Sequence, residues 1–261
     1  MKLTVAATAP FGADVLERLA ARHEVAALLT RPDSAAGRGR KVTAPPAKHV
    51  AELLGIPVLQ PERPTSELDL PGDAVVVAAY GLLIPEDLLE RGLWLNVHPS
   101  LLPRWRGAAP VERALLAGDR ETGVTIHETV KELDAGPIAA RRAFALGPED
   151  DAGTVYARAA ELAVELLDEV LPAPHFTPQE GEPTYAVKIG AADRELDLSK
   201  PEESLNRIRA LSPHIGARGE LHGRRVTVWR ARLEDGKLVP LELQPEGGKR
   251  MPYDAWVRGL R

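Results

Sequence analysis

Residues Ala74–Ala79 read AVVVAA, a run of small and β-branched apolar side chains with no polar residue on either face. A strand that shows neither face to water belongs inside a parallel sheet covered by helices on both sides. On its N-terminal side, Lys2–Thr8 and Val25–Thr30 read as strands around a helix over Phe11–Arg22, with Leu16 and Leu19 on one face. Ala47–Leu54 reads as a further helix and Pro57–Leu59 as a short strand. On its C-terminal side, Pro85–Arg91 reads as a helix and Leu93–His98 as a strand. Short β-rich runs alternating with helical patterns predict a doubly wound α/β fold.

After His98 the pattern changes. Gly123–Val130 (GVTIHETV) and Ile138–Leu146 alternate in polarity like half-exposed strands joined through Leu133–Pro137, which predicts an antiparallel extension of the sheet. Ala152–Leu171 is an amphipathic helix that stops at Pro172, and the Pro- and Glu-rich Pro172–Pro183 reads as a linker. A helix over Pro201–Leu211, then Gly-punctuated β-like runs at Arg224–Leu233 and Lys237–Gln244, predict a small β-rich second domain.

The 261 residues are 44% hydrophobic, enough for one substantial core and a second, smaller one. No apolar run approaches the roughly 20 residues of a membrane-spanning helix, and Pro10 interrupts the N-terminus before a signal-peptide core can form. The expected protein is cytoplasmic and has no membrane partner. Without cysteine there is no disulfide, thiolate nucleophile or Cys-ligated metal. His23, His49, His175, His214 and His222 lack metal-ligand spacing, so no metal is expected. The net charge of −5 is uneven: Pro201–Arg261 holds 12 Lys and Arg against 8 Asp and Glu, a balance of +4 that leaves −9 on the rest. Such asymmetry fits a polyanionic partner or a solvated surface.

The chemistry concentrates in Asn96–Pro110, NVHPSLLPRWRGAAP. Asn96 and His98 stand two apart at the end of a predicted strand, so their side chains share a face. The carboxyl ends of strands border the ligand crevice in open α/β sheets. Asp134 enters from a second turn, Asp134-Ala135-Gly136-Pro137, which its glycine lets close tightly. An amide, an imidazole and a carboxylate suit acyl transfer to an amine, which needs a proton acceptor and a stabilised oxyanion. The same three residue types also fall near one another by chance. His127, alternating into a strand, reads as a surface or satisfied sheet residue rather than a catalyst. Trp94, Trp229 and Trp256 read as core.

Asn96-Val97-His98 followed by Ser100-Leu101-Leu102-Pro103, with Asp134-Ala135-Gly136 downstream, resembles the folate-dependent formyltransferase family. The resemblance implies a Rossmann-like catalytic domain, 10-formyltetrahydrofolate as formyl donor without a metal, and Asn96, His98 and Asp134 as catalytic residues. It also implies a folate pocket lined by Ser100, Leu101, Leu102 and Pro103 and by Ala79, Tyr80, Gly81, Leu82, Leu83 and Ile84. Pro99 stands where the family usually has Gly, and Ala7 replaces the usual glycine of the first turn. Neither change removes a reacting group.

Within that family, SLLPRWRGAAP, Glu121-Thr122-Gly123-Val124-Thr125 and the loop Arg31–Lys41 (RPDSAAGRGRK) are similar to the members acting on methionyl-tRNA. Arg31, Arg38, Arg40, Lys41 and nearby Lys48 face Asp33 alone, a basic loop able to wrap an acceptor stem or to stand solvated. Thr184-Tyr185-Ala186, RVTVWR at Arg225–Arg230 and Gln244–Gly259 extend the similarity to the C-terminus. The span Leu233–Gln244 is shorter than the family pattern, which implies a truncated OB-like barrel.

The expected architecture is therefore a formyltransferase domain over 1–173, a linker over 174–200 and a shortened, β-rich, tRNA-holding domain over 201–261. The expected reaction passes formyl from 10-formyltetrahydrofolate to the α-amine of initiator methionyl-tRNA, carried out by a monomer. Two rivals stand beside it. An amino-sugar-nucleotide N-formyltransferase shares the core and resembles Thr125–Gly136 about as well, with no need of a basic loop. A non-catalytic RNA- or folate-binding protein would have no use for the Asn96, His98 and Asp134 trio.

Overall fold

The computed structural model describes residues 1–36 and 41–260. The chain opens with β1 (Lys2–Ala7), α1 (Pro10–Ala20), β2 (Glu24–Leu29), β3 (Ser34–Ala36), β4 (Lys41–Thr43), α2 (Pro46–Leu53) and β5 (Val58–Leu59). It continues through β6 (Ala74–Ala78), α3 (Glu86–Leu89), β7 (Leu93–His98), β8 (Arg106–Gly107), α4 (Pro110–Ala117), β9 (Glu121–Glu128) and β10 (Ile138–Ala145). It ends with α5 (Ala152–Val170), β11 (Tyr185–Ala186), α6 (Pro201–Leu211), β12 (Ala217–Leu221), β13 (Arg224–Glu234), β14 (Lys237–Pro245), β15 (Met251–Pro252) and α7 (Tyr253–Arg258).

The chain divides into two compact units. The first contains Met1–Arg106, Gly123–Ala143 and Ala157–Thr184. Its seven-stranded sheet runs β10-β9-β7-β6-β1-β2-β5, with β1, β2, β5, β6 and β7 parallel and β9 antiparallel to β7. The AVVVA strand, β6, is the middle one of this order and is buried throughout. From β1 the chain winds outward through β2 and β5, then returns to the other side of β1 as β6 and β7. That reversal makes a crevice at the carboxyl ends of β1 and β6, the usual ligand position in such sheets.

Helix α1 starts on Pro10, whose fixed φ suits a first helical turn, and buries Phe11, Val15, Leu16 and Leu19. Gly12 lets it approach the strand ends: a Cβ there would lie 2.2 Å from the Ala78 carbonyl oxygen. No described helix is long and apolar enough to cross a membrane.

The second unit contains Gly107–Thr122, Phe144–Tyr156 and Tyr185–Arg261. Its sheet is four-stranded, β12-β13-β14-β15, and its pairs are antiparallel. Where a shortened barrel is expected, the described strands form this one sheet, with β12 and β15 at the ends of its order. Asp235-Gly236 turns the chain between β13 and β14 with both φ values positive, 49° and 72°, the geometry that a two-residue hairpin turn demands.

The core of this unit joins Ile208, Leu211, Val226, Val228, Leu243 and Trp256 to Val111, Leu115, Ala152 and Val155. The C-terminal sheet thus shares its apolar core with α4 and the start of α5. The stretch 174–200, read from sequence as a linker, includes β11 and a 3-10 turn at Ala192–Arg194. Trp94 and Trp256 are buried, whereas Trp229 is half-buried with the Arg250 guanidinium 4.8 Å above its ring.

Candidate active site

Strand β7 ends at the crevice, and its last turn of pleat sets the site. Asn96 pairs in register with His127 of β9, and His98 with Thr125. Residues two apart share a face, so Asn96, His98, Thr125 and His127 form one patch at the strand ends. Asp134 reaches this patch from the turn after β9 with φ +49°, a backbone conformation that L residues rarely adopt. Gly136 holds that turn against β9, since a Cβ there would sit 1.9 Å from the Glu128 carbonyl oxygen.

The structure brings the three predicted catalytic residues together. Asn96 Nδ2 donates to Asp134 Oδ1 at 3.1 Å, and His98 Nδ1 lies 3.6 Å from Asp134 Oδ2. The His98 and Asp134 side chains are only 5% and 9% exposed, so their interaction is weakly screened by water. His98 Nε2 lies 2.8 Å from the Trp105 carbonyl oxygen. A carbonyl only accepts, so Nε2 carries hydrogen and Nδ1 is the nitrogen turned to Asp134. Trp105 makes that contact from φ +64°, a second residue of the site with left-handed backbone.

His127 belongs to the same cluster, where sequence alone made it a surface or satisfied sheet residue; it is buried, not at the surface. Its Nδ1 donates to the Glu128 carbonyl at 2.8 Å, which leaves Nε2 to accept from Asn96 Nδ2 at 3.1 Å. Burial, reinforced by the neighbouring His98, pushes its pKa down to about 4. His127 is therefore neutral near pH 7, and together with Asp134 it occupies both hydrogens of the Asn96 amide. The missed signal was spacing: Thr125-x-His127 repeats the two-residue spacing of Asn96-x-His98 on the neighbouring strand.

The residues expected around the folate divide by alternation. Tyr80 is buried in a cluster with Ala6, Leu29, Val77, Leu88 and Trp94, and Leu82 and Ile84 pack against it. Ala79, Gly81 and Leu83 face the other way and are exposed. Burial raises the Tyr80 hydroxyl pKa to about 12. Ser100 and Leu102 act within their own loop: Thr125 Oγ1 donates to the Ser100 carbonyl at 2.7 Å and accepts from the Leu102 amide at 3.1 Å. Leu101 and Pro103 are partly exposed beside them.

Of the five cations expected to meet RNA, Arg38 and Arg40 lie outside the described residues. The backbone of Lys41 pairs with Ala36 across the β3–β4 hairpin, and Arg31 is exposed. Lys48 is engaged instead with Asp33, its Nζ lying 2.9 Å from each carboxylate oxygen. Among the described residues there is no His, Asp or Glu group arranged to hold a metal ion.

The formyl transferase family model matches residues 1–171, which include all four clustered side chains. A methionyl-tRNA formyltransferase of Paracoccus denitrificans is 40% identical over 294 aligned positions, spanning 100% of this chain and 98% of the relative. The chain belongs to the formyl transferase family. Solved structures give the same fold at lower identity. Methionyl-tRNA formyltransferase from Clostridium thermocellum superposes with a TM-score of 0.66 at 17% identity, over 94% of this chain and 98% of that one. HypX from Aquifex aeolicus, solved in complex with tetrahydrofolic acid, does so with a TM-score of 0.64 at 19% identity, over 98% of this chain and 46% of that one. As a formyl transferase, this chain keeps an Asn, a His and an Asp in mutual reach at the strand ends.

Proposed function

We propose that this formyl transferase moves the formyl group of 10-formyltetrahydrofolate onto the α-amine of methionine on initiator tRNA, as a monomer in the cytoplasm. One observation carries the chemistry: His98, its Nε2–H committed to the Trp105 carbonyl, turns Nδ1 toward Asp134 beside the Asn96 amide. Nδ1 is then the nitrogen able to take the proton that the attacking amine sheds, directly or through water. Once His98 is cationic, the Asp134 carboxylate gains by closing on it. That movement releases one Asn96 amide hydrogen to the oxyanion of the tetrahedral intermediate. His98 returns the proton to the departing folate nitrogen, so formyl and proton exchange places and no oxidant is needed.

The 40% identity along the whole length of a methionyl-tRNA formyltransferase favours tRNA as acceptor. On this reading Arg31, Arg38, Arg40 and Lys41 meet its phosphates, Lys48 anchors the base of their loop, and exposed Ala79, Gly81 and Leu83 with Leu101 and Pro103 line the folate side. The test is radiolabelled formyl transfer to methionyl-tRNA and to an amino-sugar nucleotide in parallel. Label on the tRNA alone supports the proposal, and label on the sugar nucleotide alone replaces it.

A further inference from the structure

Gln179 sits in the Pro- and Glu-rich stretch that sequence reads as a linker, yet its side chain is half-buried and uses all of its hydrogen-bonding capacity. Its Nε2 donates to two backbone carbonyls, Asp134 and Gly136, each at 2.8 Å. Its Oε1 accepts from Arg106 Nε at 3.1 Å and Nη2 at 2.5 Å. These partners are 45, 43 and 73 residues away in sequence, and two of them flank the groups that make up the site.

One end of the amide draws the carbonyls of Asp134 and Gly136 to a single point across the turn. Asp134 holds φ +49° there, a strained backbone that persists only where its surroundings fix it. The other end holds Arg106, which follows Trp105, the residue whose carbonyl receives the His98 Nε2–H. Five residues on, Thr184 secures the same stretch: its carbonyl accepts from Arg106 N at 2.8 Å, and its Oγ1 accepts from Trp105 N at 2.9 Å. The segment Gln179–Thr184 therefore ties the backbone that aims the Asp134 carboxylate to the backbone that sets the His98 tautomer. The charge of Arg106 also acts on the cluster, being among the influences that keep His127 neutral.

We infer that Gln179 is a positioning residue for formyl transfer, bridging the Asp134 turn to Arg106 and so fixing the distance between Asp134 and its two partners, Asn96 and His98. The inference rests on the catalytic reading of that trio. Gln179→Glu keeps the size and the acceptor for Arg106 but replaces two donors by lone pairs facing carbonyl oxygens. Gln179→Met keeps the length and removes every polar contact. A misplacement of about 1 Å at a reacting group is worth up to about 100-fold in rate.

The experiment measures kcat, both KM values and Tm for wild type, Q179E, Q179M, R106M and the Q179M/R106M double variant, with a crystal structure of Q179M. Expected are kcat losses of about 10- to 100-fold with both KM values within about twofold. The double variant should lose no more than the worse single one, because the two residues act as one bridge. In the Q179M crystal the Asn96 Nδ2 to Asp134 Oδ1 separation, 3.1 Å here, should open beyond hydrogen-bonding range. Unchanged kcat, losses confined to Tm or KM, or additive losses overturn the inference. An unmoved Asp134 turn in Q179M overturns it whatever the turnover. A wild-type protein that transfers formyl to neither acceptor would instead refute the proposed function, with the crystal still deciding the bridge.

Discussion

His127 Nε2 and the Asn96 amide nitrogen face each other at 3.1 Å across the β7–β9 ladder, where the two residues are register partners. Because Nδ1 of the same ring donates to the Glu128 carbonyl, a proton on Nε2 would confront the Asn96 N–H donor with another donor. Burial already disfavours that proton, so the cluster depends on an imidazole that stays neutral.

A pH dependence of stability follows from this. The His127 pKa falls from an ordinary 6.5 to about 4 on folding, so between those values the unfolded chain binds a proton that the folded chain refuses. Stability therefore drops as pH falls from 6.5 toward 4, by about 3 kcal/mol in all from this group and about 2 kcal/mol by pH 5. His127→Gln keeps an oxygen to accept from Asn96 and cannot titrate. Urea unfolding at pH 7 and pH 5 should show a smaller pH difference for H127Q than for wild type; equal differences would show that His127 is not the group responsible.

His98→Ala removes the only base whose Nδ1 faces Asp134 within the cluster. General-base catalysis is worth about 10²- to 10⁴-fold, and kcat should fall by that much. Folate binding, measured by calorimetry, should change little because the exposed Ala79, Gly81 and Leu83 are untouched. Near-normal turnover in this variant would remove His98 from the mechanism.

Parts of this site are legible in the sequence because they obey local periodicity. AVVVAA announces a strand buried on both faces, and Asn96-x-His98 places two side chains on one face whatever the sheet order is. What escapes a sequence reading depends on partners far along the chain. His127 becomes meaningful only when β9 is set antiparallel to β7 in a particular register, and Gln179 only when a Pro-rich stretch passes within reach of residues 45 and 73 positions earlier. Helix α4 was hidden for a different reason. It is only eight residues long, opens on Pro110 and closes on Gly118 at φ +71°, so its two ends are the residues that break longer helices.

Gly136→Ala should separate the geometry of the turn from the stability of the fold. Its new Cβ would overlap the Glu128 carbonyl oxygen, 1.9 Å away, and touch Val130 Cγ1 at 3.3 Å, so the Asp134 turn must move off β9. Overpacking of this kind costs about 1–3 kcal/mol, a Tm loss of about 2–12 °C in a protein of this size. Turnover at 25 °C, where the variant remains folded, should fall by about tenfold or more because Asp134 moves with the turn. A Tm loss with full turnover would mean that the turn adjusts without carrying Asp134 along.

The proposed tRNA loop gives a prediction whose sign decides between two roles for one lysine. Lys48 Nζ donates to both Asp33 oxygens at 2.9 Å, and Gln60 Nε2 donates to Asp33 Oδ1 and to the Arg31 carbonyl, each at 2.8 Å. Asp33 thus knots α2 and the residue after β5 to the chain just before the β3–β4 hairpin, and these bonds hold its carboxyl below the usual range. A lysine facing a carboxylate adds no net charge for a phosphate to meet. If Lys48 contacts RNA directly, K48M should lower the slope of log affinity against log salt by about 0.7–0.9, and D33N, by removing an anion, should tighten binding. If Lys48 and Asp33 instead fix the base of the loop, K48M and D33N should both weaken tRNA binding several-fold with the slope nearly unchanged. Filter binding of methionyl-tRNA from 50 to about 200 mM salt reads both quantities. The paired geometry predicts the second outcome, and tighter binding by D33N would restore Lys48 to the set of RNA contacts.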